Sequence, residues 1–311
     1  KGGQKTMAHR LEAREFNRQL RLPDIRYANA SADVQVRANL EKEAHWLSCI
    51  GKGATGVFFV GPYYHEFETG VVMTDAEMVF AVELQLYLPL SAFTTAKANG
   101  LCAVCSCAAP MDVRGYHLLN CTLGSDANTK RHDLIKKLML KTLRKWEFMT
   151  NEEPLHRYPE RPGARADGEI TDFRSGGPTE FDVVISTPLV ASGAELARNA
   201  SNAGAAAKKA EDEKFDKYIN ENGLHRRADN PKLYIFSLET FGRRGEDFST
   251  FLKRMAKKGE SRTRRPAWQF WQWEVPKINA MLIKGNLYKA MQVRDRINAD
   301  LADRYTHTNF H

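Results

Sequence analysis

The run EFDVVISTPL, residues 180–189, constrains the fold of this chain more than any other stretch. A short block of β-branched and aromatic residues of this kind specifies a buried strand. An aspartate stands in its middle, and a desolvated carboxylate without a partner is costly, so Asp182 calls for a cation or a salt bridge. Upstream, ADGEITDF at 166–173 reads as a second strand, and RSGG between the two is a hairpin signal. Downstream, a small-residue linker runs into a helix that ends in KFDKYINEN. PKLYIFSLETFG at 231–242 is then a third strand of the buried kind, and EDFSTFLKRMAKK at 246–258 a helix. The amphipathic stretch TKRHDLIKKLMLKTLRKWEF at 129–148 precedes them all, with Leu134, Ile135, Leu138, Leu143 and Trp146 on the inward face. The order helix, strand, strand, helix, strand, helix describes an α/β core.

A chain of 311 residues exceeds one ordinary domain, so smaller modules should surround that core. We place a helical N-terminal region at 1–100, a metal-binding loop at 101–125, the α/β core at 126–258 and a basic-aromatic segment with a closing helix at 259–311. Thr74 is the expected N-cap of a helix, with Glu77 completing a capping box. The chain opens with KGGQKTMAHRLEAREF, without initiator Met or apolar leader, so no signal peptide and an intracellular, reducing compartment are expected, for either a portion of a longer polypeptide or a free-standing protein. No apolar run reaches the roughly 20 residues of a membrane span.

Four of the five cysteines crowd into CAVCSCAAPMDVRGYHLLNC, residues 102–121. Cys105, Cys107, His117 and Cys121 form a C-x-C-x9-H-x3-C array of two close ligand pairs joined by a loop, which suits tetrahedral zinc. Asp112 and Gly115 supply the turn before His117. Cys102 offers a competing C-x2-C spacing with Cys105. Buried free thiols are the alternative; a redox role is disfavoured because no thioredoxin-like strand precedes the pair. Zinc here would be structural, standing in for a core the segment is too small to build.

The chemistry lies with the acids. Metal-assisted phosphodiester cleavage needs two or three carboxylates converging on one or two divalent cations, usually with a lysine beside them. The hairpin makes Asp167 and Asp182 neighbours on adjacent strands, and these are the expected ligands of a catalytic magnesium ion. Glu153, before the first strand, and Lys214 or Lys217, on the helix after the second, can complete the site. Glu239 on the third strand is ambiguous between a ligand and an internal partner, while Glu169 and Asp172 are expected in exposed turns.

Lys and Arg number 46 against 38 Asp and Glu, a formal charge of +8, which points to a polyanionic partner. Lys130, Arg131, Lys136, Lys137 and Lys141 on the first core helix, and Arg262, Arg264 and Arg265 near WQFWQW, are the expected phosphate contacts. Trp268, Trp271 and Trp273 read as core rather than base-stacking residues.

The succession MDVRGYHLLNC, RHD, RADGEITDF, EFDVVISTPL, KFDKY and LETFGRRG resembles the restriction-like endonuclease region of site-specific retrotransposons that lack long terminal repeats, over roughly residues 75–260. The resemblance implies a PD-(D/E)xK fold with a central mixed sheet flanked by helices and a zinc knuckle, in a nuclear protein or ribonucleoprotein. It also implies nicking of target DNA to prime reverse transcription. Asp167 and Asp182 match the family's two acidic positions, Glu153 the upstream one, and Lys214 and Lys217 the lysine carried on the following helix. Val184 stands where a lysine usually follows the second acid, Pro162 is displaced from the first, and no Tyr-x-Asp-Asp polymerase motif occurs. Two readings result: a magnesium-dependent endonuclease acting on DNA, or on RNA, and a binding or assembly subunit that retains the fold and the zinc without turnover.

Overall fold

The computed structural model describes residues 31–49, 73–91, 114–121, 125–154, 165–173, 177–220 and 232–308, the side chains of 125, 219, 220 and those from 300 onward excepted. In chain order these form α1 (Ala32–Cys49), α2 (Asp75–Gln85), the single turn α3 (His117–Asn120), α4 (Ser125–Lys145), β1 (Thr150–Glu152), β2 (Gly168–Ile170) and β3 (Thr179–Ser186). They continue with α5 (Gly193–Ser201), α6 (Ala205–Phe215), β4 (Lys232–Glu239), α7 (Glu246–Thr263) and α8 (Val275–Thr308). The class is α/β, as the element order implied.

One sheet runs β1-β2-β3-β4. The expected hairpin is present: β2 and β3 pair antiparallel, with Gly168 opposite Phe181. β3 and β4 are parallel over their whole length, Asp182 lying opposite Ile235. The intervening α5 and α6 make the crossover that parallel pairing requires.

Alternation along β3 and β4 gives each strand two different faces. Phe181, Val183, Tyr234, Phe236 and Leu238 enter one core with α4, α7 and the start of α8. Its centre is an aromatic pile: Phe181 stacks on Phe236 at 4.6 Å, and Phe236 on Phe248 at 4.6 Å. On the other face Leu233 and Ile235 cluster with Tyr218, Val184 and Phe215, under the helix that also carries Lys214. Asp182 occupies this second face, the one that reaches a cleft.

A second core gathers Phe80, Leu84 and Tyr87 from the α2 region, Leu118, Leu119 and Cys121 from α3, and Ala290, Val293 and Ile297 from α8. The closing helix therefore serves both cores, joining the expected N-terminal module to the sheet. The Thr74 capping box is formed as expected, Glu77 N donating to Thr74 Oγ1 at 3.3 Å and Thr74 N to Glu77 Oε2 at 2.7 Å.

Three local expectations need correction. The small-residue segment expected as a linker forms α5, started by Ser192, whose hydroxyl accepts from Glu195 N. β1 arises from the polar residues Thr150, Asn151 and Glu152, which periodicity does not mark as a strand; pairing with β2 holds them. α7 runs to Thr263 and ends where Arg264 turns left-handed with φ 57° before Pro266. Among the described residues, no helix is long and apolar enough to cross a membrane.

Candidate metal centre

Asp167 immediately precedes β2, and its backbone N–H donates to Phe181 O across the hairpin at 3.0 Å. Its carboxylate turns back to the same strand, Oδ2 accepting from Val183 N at 2.6 Å. Asp182 lies on β3 beside that contact. A third group comes from α4: His132 Nε2 sits 2.8 Å from Asp167 Oδ2, while Nδ1 is 3.2 Å from Asp133 Oδ1. One ligand atom from each of His132, Asp167 and Asp182 falls within 4.8 Å of the others.

The electrostatics of this trio pull in opposite directions. Burial and the neighbouring Asp167 charge push the Asp182 carboxyl up to about 6, against the opposing pull of Lys214. Burial would also raise Asp167, but the hydrogen bond and charge of His132, with the Val183 amide, hold it below the usual aspartate range. His132 shows the counterpart: burial lowers it, yet the two bonded aspartates lift it above the ordinary histidine value. Two carboxylates compressed in this way are a site that a cation relieves.

Lys214 on α6 places Nζ 2.6 Å from Asp182 Oδ2. Oδ2 is thus paired with a cation, while Asp167 lies close to the same carboxylate. This carboxylate, that of Asp167 and the His132 imidazole nitrogen lie close enough together to share a divalent cation. The nitrogen donor suits manganese better than magnesium, which takes oxygen ligands by preference. Lys217, one turn beyond Lys214 on the π-helical continuation Asp216–Asn220, is exposed.

Glu153 is adjacent to the trio without joining it. Its carboxylate is held by Lys136 Nζ at 2.6 Å and Arg165 Nη2 at 3.0 Å, and its backbone N–H donates to Asp167 O at 3.2 Å. Glu153 adopts φ 45°, a left-handed conformation that costs a non-glycine residue about 1 kcal/mol or more and is maintained only by such surrounding bonds. Its place is to brace the strand that carries Asp167. His132, absent from the expected site, was visible only as the middle letter of RHD.

The other expected acids resolve differently. Glu239 is buried and accepts from Ala207 N at 3.2 Å, at the start of α6, which makes it a helix-terminus partner. Glu169 is buried in β2 rather than exposed in a turn, its Oε1 accepting from Asn151 Nδ2 at 3.0 Å. Asp172 pairs with Arg262, which also bonds Glu147 O and lies over the Phe148 ring.

Several of the expected phosphate contacts are therefore engaged by other residues of the chain. Arg262 is one, and Lys136 is another, buried against Glu153. Arg131 is buried too, donating from Nη1 to Asn286 Oδ1 at 3.0 Å. Lys130, Lys137 and Lys141 remain exposed along α4, and Arg264 and Arg265 are exposed after α7. Trp271 packs against the sheet core as expected, whereas Trp268 is 57% exposed.

Of the expected zinc ligands, Cys105 and Cys107, with Cys102 and Asp112, lie outside the described residues. His117 and Cys121 are buried at the two ends of α3, where Cys121 N donates to His117 O at 2.8 Å. Gly115 takes φ 78°, the reversal expected ahead of His117. These two expected ligands are thus close together on one turn, seated beside the second core.

An open cleft of about 410 Å³ reaches the trio through His132 and through Lys214, the partner of Asp182, and is lined also by Val184, Asn120, Arg131 and Lys289. The chain matches no protein-family model and no curated protein.

Proposed function

We propose that this chain is a divalent-metal-dependent DNA endonuclease with a restriction-like core, nicking one strand. The observation that carries the reading is the convergence of Asp167, Asp182 and His132 from three separate elements, with Lys214 beside them. A magnesium or manganese ion held there would lower the pKa of a bound water and neutralise charge on the scissile phosphate. Asp167 and Asp182 supply the anionic ligands, and His132 orients Asp167 or joins it as a ligand. Lys214, held at the cleft by Asp182, provides a cation for the charge that builds on the phosphate. It takes the position left open by Val184. The exposed Lys130, Lys137 and Lys141 offer sequence-independent contacts to the backbone of the same strand. In this reading His117 and Cys121, with Cys105 and Cys107 or Cys102, hold a structural zinc ion. The nick is of the kind that primes reverse transcription in the nucleus.

Incubation with supercoiled plasmid tests the reading. Relaxation in magnesium or manganese, abolished by chelation, is the expected result. Binding without relaxation in either metal would replace it with the non-catalytic subunit; cleavage of structured RNA alone would change the substrate. For zinc, purified protein should carry about one equivalent, and His117→Ala should lose both metal and stability.

A further inference from the structure

The cleft beside the metal site has a second polar wall, set by how α8 crosses α4. Gly285 lies at the crossing. A Cβ at this position would fall 2.7 Å from Arg131 Cγ, so only glycine lets the two helices approach this closely. One residue on, Asn286 fixes Arg131 by accepting from its Nη1, and is itself fixed by donating to Thr240 O at 2.8 Å. One helical turn beyond Gly285, on the same side of α8, comes Lys289.

Lys289 is 2% exposed and lines the cleft, together with Arg131, His132 and Lys214. It forms no hydrogen bond or ion pair among the described residues. Arg131 is likewise incomplete, since its Nε is a buried donor without an acceptor. A buried ammonium is ordinarily paired, because desolvating it alone is costly. Here two cations share one wall. Burial and the Arg131 charge hold the Lys289 amine down to about 7, opposed by Cys121. An anion in the cleft would satisfy both donors and relieve their repulsion.

We propose that Lys289 and Arg131 form a seat for a phosphate of the nucleic-acid strand, adjacent to the phosphate at the metal site. The proposal deepens the nuclease reading and rests on it. A neighbouring phosphate anchored in this way fixes the register of the strand, so that one particular phosphodiester faces His132, Asp167 and Asp182. The exposed lysines of α4 attract the strand; the buried pair positions it.

The test uses the whole chain and a short DNA duplex in calcium or chelator, so that binding is read without cleavage. Lys289→Met should weaken binding about tenfold and lower the slope of log affinity against log salt by about one, whereas Lys289→Arg should stay near wild type. Unchanged affinity and slope in a folded Lys289→Met variant overturn the proposal. A second measurement needs no variant: trace acylation of the wild-type chain, mapped by mass spectrometry, should modify Lys289 and be blocked by the duplex. Unblocked modification, or protection by inorganic phosphate but not by the duplex, overturns it equally. Plasmid nicking separates the two claims. A wild type that nicks, with Lys289→Met binding and nicking alike, removes the phosphate seat and leaves the nuclease. A wild type that never nicks, with Lys289 still protected and required for affinity, removes the nuclease and leaves the seat.

Discussion

His132 and His45 are both helix-borne histidines, the first half-buried at a cleft and the second enclosed in a core, and their surroundings treat them in opposite ways. His45, on α1, is fully buried in the second core, between the rings of Tyr87 at 4.6 Å and Phe241 at 4.4 Å. Its Nε2 lies 2.6 Å from Leu84 O, so the neutral ring donates to a backbone carbonyl. Burial drives its pKa down to about 3. His132 borders a cleft, faces carboxylates and is raised. A histidine enclosed by rings and a carbonyl docks one helix against another. A histidine drawn toward two acids that repel each other belongs to a site built for charge.

The sharpest way to break this contrast is to neutralise the acid at its centre. Asp182→Asn keeps the side-chain shape and removes an anionic ligand. Nicking should fall by two orders of magnitude or more, on the order of 3 kcal/mol of transition-state stabilisation, with the melting temperature held or raised because a repulsive buried charge is gone. Equal nicking by this variant would break the assignment.

The second expectation concerns His45 and acid. Its folded pKa lies below that of the unfolded chain, so between the two the unfolded state binds the extra proton. Stability is then complete above about pH 6.5 and declines as pH falls, by roughly 3 kcal/mol at pH 4. Denaturant titrations across this range should show a shallower decline in His45→Gln, while its nicking rate per folded molecule near neutral pH stays that of wild type.

A smaller effect should follow from His132→Gln, about a tenfold loss of metal affinity with a narrowed preference for manganese over magnesium. Lys214→Ala should slow turnover about tenfold while leaving metal affinity nearly intact, and Lys217→Ala should change little. Rates measured at saturating metal separate these roles. The mildest expectation is charge reversal at Lys137 and Lys141, which should weaken binding and flatten its salt dependence without affecting the metal.

The sequence made the acids legible because Asp182 interrupts an apolar strand, and the hairpin signal brought Asp167 beside it. Lys214 was legible by its place on the next helix, where it reaches Asp182. His132 was not, since its approach to Asp167 depends on how α4 packs against the sheet. The same gap explains Arg131 and Lys136. Basic residues at helical spacing read as a solvated face, but α8 covers Arg131, and Glu153 draws Lys136 inward. Lys289 sits in an ordinary-looking closing helix, and only the contact at Gly285 places it in the cleft. β1 escaped notice because three polar residues become a strand through pairing rather than through their own pattern.

Direct titration of manganese into the metal-free chain, followed by electron paramagnetic resonance, tests the central claim most closely. The wild type should bind manganese saturably, magnesium should compete for the same site, and the Asp167→Asn, Asp182→Asn double variant should bind none there while remaining folded. A wild type that takes up no manganese, or a folded double variant that binds it equally well, would contradict the account.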